Sequence, residues 1–302
     1  MVHILPADSR AEALKVDVAR LRFLDRFLTE LTTSGGYPFC GACVLRGGTE
    51  IFNGAYGIAS PEGAPLQLDT IYPMASVTKP ITATLLAMLQ EDGVIDLWEK
   101  FNKYYPDFTG DKKDEVEIWQ VMAHSSGMSD EAQMEYIIQS VRENGIDLPE
   151  NFTYEDYDAA LLKIREKLGL PMTGDYARDC EETQEYLYLK APLAADPHTV
   201  FSYCNHAYFM LAKLIERLTG EDIDSYASRR LFLPLGMTDT HFILPKEKWP
   251  RVVKRDPALQ GAEWLNSEFI LENTSGAGGL KSTVSDLALF GQMYLNGGRL
   301  GA

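Results

Sequence analysis

Two short phrases carry residue types at spacings suited to acyl transfer. In Ser76-Val77-Thr78-Lys79 a hydroxyl and an amine stand three positions apart. On a helix such positions are neighbours, with Cβ atoms about 5–6 Å apart, so Lys79 can reach the Ser76 hydroxyl. A serine hydroxyl is a poor nucleophile until a nearby base accepts its proton. Placing Ser76 at a helix start adds free backbone N–H groups and the positive end of the helix dipole, which favour the oxyanion formed when a carbonyl is attacked. Lys79 must then be neutral, or use its charge to lower the pKa of another base. Tyr203-Cys204-Asn205 offers that base. Tyrosine ordinarily ionises near pH 10, and an adjacent ammonium stabilises the phenolate. Asn205 brings a donor and an acceptor, suited to holding Lys79 and a substrate carbonyl. Each phrase also has a plainer explanation. Ser-x-x-Lys arises on the order of once by chance in a chain of this size, as a helix cap followed by a surface lysine. Tyr-x-Asn can equally be a buried phenol beside an Asn N-cap.

Other reactive side chains point elsewhere. Cys40-Gly-Ala-Cys43 has the spacing of a redox pair or half a zinc site. It falls in a predicted strand, where positions three apart face opposite sides. Buried structural thiols are therefore expected. His3, His124, His198, His206 and His241 show no ligand spacing, so neither a metal nor a cofactor is expected. Gly276-Ala277-Gly278-Gly279 lacks the Lys-Ser/Thr ending of a phosphate loop.

The elements that must position these residues follow from periodicity. Apolar residues from Val16 to Leu31 recur at helical spacing, and Ser34-Gly35-Gly36 ends that helix. Phe39–Arg46 and Glu50–Tyr56 read as a hairpin. Further helices are predicted over Ser76–Glu91, Ile118–Ala123, Glu131–Glu143, Tyr154–Leu168 and Asn205–Leu218, with a shorter one before Leu233-Pro234-Leu235-Gly236 and another starting at Thr283. A helix and hairpin followed by a long helical stretch indicate an α/β layer joined to an all-α lobe. The chain has 302 residues, a formal net charge of −16 and 45% hydrophobic content. That composition fits a globular protein and, lacking clusters of Lys and Arg, excludes a nucleic-acid binder. No apolar stretch approaches the roughly 20 residues a membrane helix needs. The stretch from Met1 to Leu14 has no basic start followed by an apolar segment, so a cytoplasmic location is expected. Residues 130–190 hold fifteen acids and six bases, most simply a solvated outer face.

Taken together, the phrases resemble the serine β-lactamase and penicillin-binding-protein superfamily, in particular its class C and esterase-like branch. Met74-Ala75-Ser76-Val77-Thr78-Lys79-Pro80 resembles the nucleophile motif and Val121-Met122-Ala123-His124-Ser125-Ser126-Gly127-Met128 the family's "LLxHTSGL" turn. Phe201-Ser202-Tyr203-Cys204-Asn205 is similar to the Tyr-x-Asn motif, Leu233-Pro234-Leu235-Gly236-Met237 to "PLGM" and Gly278-Gly279-Leu280-Lys281-Ser282-Thr283 to "GGLxST". The five matches occur in the family's order and cover nearly the whole chain from about residue 15. The resemblance implies an antiparallel sheet flanked by N- and C-terminal helices, with a helical lobe. In a single domain over residues 1–302, residues 1–70 and 278–302 would form the α/β part and residues 71–277 the lobe bearing the motifs. It implies that Ser76 is acylated, that Lys79 and Tyr203 share proton transfer, that Asn205 positions substrate, that the Ser76 N–H is one oxyanion donor, and that His124 is structural.

Downstream of the Gly278–Thr283 phrase, where the family carries its third motif, no Lys/His-x-Gly occurs before the chain reaches Gly301-Ala302. The C-terminal strands are therefore expected to be missing, the sheet to be reduced to its N-terminal hairpin, and a further chain segment to complete it. The expected function is a serine hydrolase acting through an acyl-enzyme on a small ester, amide or β-lactam, without nucleic-acid or membrane partners. A non-catalytic binding or regulatory protein that keeps the penicillin-binding fold is the alternative.

Overall fold

A computed structural model describes residues 2–4 and 9–299; part of the Met1–Leu14 stretch, and all of Gly301-Ala302, lie outside the described residues. The hairpin forms from β2 (Phe39–Arg46) and β3 (Thr49–Gly57), and β1 (Val2–Ile4) pairs with the other edge of β3. The sheet is thus three-stranded and antiparallel, in the order β1-β3-β2, which corrects the expectation of a hairpin alone. The described chain gathers into two units, one from residues 1–78 with 219–302 and the other from residues 79–218.

In the first unit, helix α1 (Val18–Thr33) starts at Asp17, whose carboxylate accepts from Ala19 and Arg20 N–H. Its Leu21, Leu24, Leu28 and Leu31 pack on Phe52 and Tyr56 of β3, residues four apart and so on one face of the strand. Asn53 points the other way and donates to Ser285, 2.9 Å away, in the C-terminal helix that covers the opposite face. Cys40 and Cys43 are half-buried rather than buried, whereas Cys180 and Cys204 are buried. Burial pushes the Cys40 thiol up, and burial together with Glu50 raises Cys43 to about 11. Both effects work against thiolate chemistry.

A second, short ladder joins β4 (Tyr72–Pro73) to β5 (Lys281–Ser282) and ties together two of the sequence phrases. Met74 N–H donates to Leu280 O at 2.8 Å, and Leu280 N–H donates to the Thr78 hydroxyl at 3.1 Å. The Gly278–Thr283 segment therefore clamps both sides of the turn that carries Ser76. Glycine is needed at 279, since a Cβ there would lie 2.4 Å from Asn273 O and 2.7 Å from Ser275 N. Lys281 anchors this segment from within. Its wholly buried Nζ donates to the carbonyls of Phe242, Asn273 and Gly279, and burial lowers its pKa to about 7. Replacing Lys281 with methionine leaves three carbonyls, two of them in buried contacts, without that donor, so a loss of about 2–4 kcal/mol is expected. Denaturant unfolding measures it, and an unchanged midpoint would contradict the anchoring role.

The second unit is helical. It contains α2 (Thr78–Glu91, from Lys79 onward), α3 (Asp130–Glu143), α4 (Tyr154–Lys167), α5 (Tyr176–Lys190) and α6 (Asn205–Thr219, as far as Leu218). Ile81, Leu85 and Leu86 of α2 and Met210, Leu211 and Leu214 of α6 are fully buried. The tyrosine hydroxyl of Tyr105 donates to Met210 O at 2.7 Å. Between α4 and α5, buried Arg165 reaches Glu182 at 2.7 Å, Asp179 at 3.4 Å and Pro171 O at 2.7 Å. Back in the first unit, α7 (Val284–Leu295) opens with Thr283 accepting from Asp286 N–H. Among the described residues, no helix is long and apolar enough to cross a membrane.

Candidate active site

Ser76 is exposed and lies in a single 3-10 turn, Ala75–Val77, that runs directly into α2. The predicted helix start at Ser76 is thus this tighter turn, and α-helix proper begins at Thr78. Ala75 immediately before it has φ +44°, in the left-handed region that costs a non-glycine residue on the order of 1–2 kcal/mol. The Thr78 hydroxyl donates to Ala75 O at 2.6 Å and accepts from Leu280 N–H, so the strained turn is held from both ends.

Lys79 begins the second unit and is only 5% exposed. Its Nζ donates to Asn205 Oδ1 at 2.8 Å and stands 4.7 Å from the ring centre of Tyr203 and 5.5 Å from that of Tyr208. Attraction between an ammonium and the negative face of an aromatic ring favours this arrangement. Three of the four residues singled out by spacing are therefore brought together in one unit. The fourth, Ser76, is tied to Lys79 by three residues of chain.

Tyr203 is placed by the His124 turn. The ring of His124 lies 4.5 Å from that of Tyr203 at 34°, and its Nδ1 accepts the Cys204 N–H at 3.2 Å. Backbone bonds from Ala194 to Gly127 O, His198 to Ser125 O and Ser202 to His124 O bind the segment before Tyr203 along the turn. Gly127 makes that approach feasible, because a Cβ would fall 2.1 Å from Ala195 O. The Tyr208 hydroxyl donates to Met122 O at 2.8 Å, closing the same corner from α6. Tyr203 itself is 44% exposed.

Burial, with the Lys79 charge adding to it and Asp130 opposing, pulls the His124 pKa below its ordinary 6.5. The folded state therefore keeps the imidazole neutral while the unfolded chain takes up the proton first. Stability is lost as pH falls below about 6.5 toward the lowered folded value. The difference in unfolding free energy between wild type and His124→Gln is expected to narrow from pH 7 to pH 5. A pH-independent difference would contradict a neutral, Nδ1-accepting His124.

Asp130 was not singled out by spacing. Its carboxylate accepts from Asn205 Nδ2 at 2.7 Å and from His206 N–H at 2.9 Å. Its only sequence signal is its place directly after the Ser129 cap in the His124 turn.

The fold is that of β-lactamases and penicillin-binding proteins. Residues 24–302 match the family model described as Beta-lactamase, and the chain belongs to that family. It is 26% identical over 332 aligned positions to "N-acetylmuramyl-L-alanine amidase" of Bacillus subtilis (strain 168), covering 98% of this chain and 67% of that protein. The octameric penicillin-binding protein homologue from Pyrococcus abyssi superposes with a TM-score of 0.65 at 22% identity, over 94% of this chain and 57% of that one. A class C β-lactamase solved with cefoxitin gives a TM-score of 0.64 at 20% identity, over 92% of this chain and 66% of that one. The chain thus spans roughly three fifths to two thirds of the length of these proteins.

Proposed function

We propose that the protein is a serine hydrolase that works through an acyl-enzyme on a small ester or amide, β-lactams and D-amino-acid peptides included. The observation that carries this is the Lys79 ammonium, buried between Asn205 and the Tyr203 ring and set three residues after an exposed serine. In the proposed reaction, Ser76 Oγ attacks the carbonyl carbon while its proton passes to the Tyr203–Lys79 pair. The Ser76 backbone N–H stabilises the oxyanion, and Asn205 holds the substrate as well as Lys79. Collapse breaks the C–O or C–N bond, the pair returns a proton to the leaving group, and water then hydrolyses the Ser76 ester. Family membership and the amidase and cefoxitin-binding relatives support an amide-type carbonyl as substrate. A panel of a nitrophenyl ester, a D-amino-acid amide and a chromogenic cephalosporin tests the reading. Turnover of at least one is expected, and none turned over, with no covalent intermediate, would sink it.

A further inference from the structure

The Asn205 side chain can point either its oxygen or its nitrogen toward Lys79, and only one choice is useful. Lys79 as an ammonium offers donors and no acceptor, so it needs the Asn205 oxygen. The reverse orientation would set an NH₂ against an ammonium. A carboxylate settles this choice, because it accepts and cannot donate. Asp130 occupies that position. Its Oδ2 takes the Asn205 Nδ2 proton at 2.7 Å, and its Oδ1 takes the His206 backbone N–H at 2.9 Å.

We propose that Asp130 is a positioning residue of the acylation site, fixing the Asn205 amide so that its carbonyl oxygen faces Lys79. This rests on the acyl-enzyme reading above and names a group that acts through Asn205 rather than on substrate. Asp130 is itself well held. It is the first residue of α3, behind the Ser129 cap, and it reaches across to the start of α6. His206, at 3.5 Å from Oδ1, is stacked on Tyr188 with ring centres 4.2 Å apart and contacts Gln133 at 3.2 Å. Burial raises the Asp130 pKa, but the His206 and Asn205 donors outweigh it, and the carboxyl sits below its ordinary range. The acceptor-only form is therefore kept at neutral pH. Lys79, Asn205 and Asp130 form a line of alternating donors and acceptors whose direction is set at the carboxylate end.

Asp130→Asn is nearly isosteric but turns one acceptor oxygen into a donor. The His206 donor is a backbone N–H that cannot reverse, so the new amide keeps its oxygen there and turns its NH₂ toward Asn205, whose own amide is then free to turn over. With a fluorescent penicillin or fluorophosphonate probe, the saturating acylation rate of Asp130→Asn is expected to fall about 10- to 100-fold, as for a misplaced catalytic group. The decisive arm is a double-mutant cycle. Added to Asn205→Ala, Asp130→Asn should cost no more than twofold further, because the residue it acts through is already gone. A merely structural Asp130 would give losses that add, with matching losses in thermal midpoint. If Asp130→Asn does not fold, the same cycle is run with Asp130→Glu, which keeps the charge and moves the oxygens by one methylene. An acylation rate unchanged in the variant of a wild type that labels, or additive losses, overturns the positioning role alone. A wild type that does not label at Ser76 overturns the acyl-enzyme reading and Asp130's role with it.

Discussion

Ser76→Ala is expected to leave the fold intact and to lower hydrolysis on the order of 10⁴- to 10⁶-fold, the scale of loss when a serine hydrolase loses its nucleophile. The fold should survive because Ser76 is exposed, while the turn around it is held by other groups. Those are the Thr78 hydroxyl between Ala75 and Leu280, and Met74 N–H on Leu280 O. A change confined to Oγ leaves these bonds in place, so the thermal midpoint should move by no more than a degree or two. Activity within tenfold of wild type would show that the carbonyl is attacked by some other group.

Tyr203→Phe carries the second large expectation. The substitution removes one oxygen and keeps the ring, so the tilted contact with His124 and the contact with the Lys79 ammonium persist. Stability should change little. The rate should fall about 10²- to 10⁴-fold, the usual worth of a positioned general acid or base. The fall should appear in kcat rather than KM, since the hydroxyl is assigned to proton transfer and not to holding substrate. A variant within threefold of wild type would remove Tyr203 from the proton path.

The phrases of the candidate site could be read from the sequence because they depend on local spacing. Ser76 and Lys79 are three residues apart on one turn and helix, and Asn205 begins a helix whose apolar period is strong. The hairpin strands showed by their composition and turn, and most helices by their period. Several short elements were not visible, the Tyr72–Pro73 and Lys281–Ser282 strands among them, and neither were two others whose reasons are identifiable. The strand Val2–Ile4 has three residues and is defined only by its distant partner Phe52–Gly54. The helix Tyr176–Lys190 buries Asp179, Thr183 and Glu185, so it lacks an apolar stripe. Those charges are tolerated inside because Arg165 and Arg217 meet them. Asp130 was hidden similarly. An acid after a serine reads as a helix-start residue, which it is, and its second role exists only once α3 and α6 meet.

The proton path and the role of Asp130 both depend on one covalent event. Intact-protein mass measurement of the full-length protein after exposure to a penicillin or fluorophosphonate probe, followed by peptide mapping, observes that event directly. A single adduct on the peptide containing Ser76, absent from Ser76→Ala, is the expected result. No adduct, or one that persists unchanged in Ser76→Ala, would contradict the assignment of Ser76 as nucleophile.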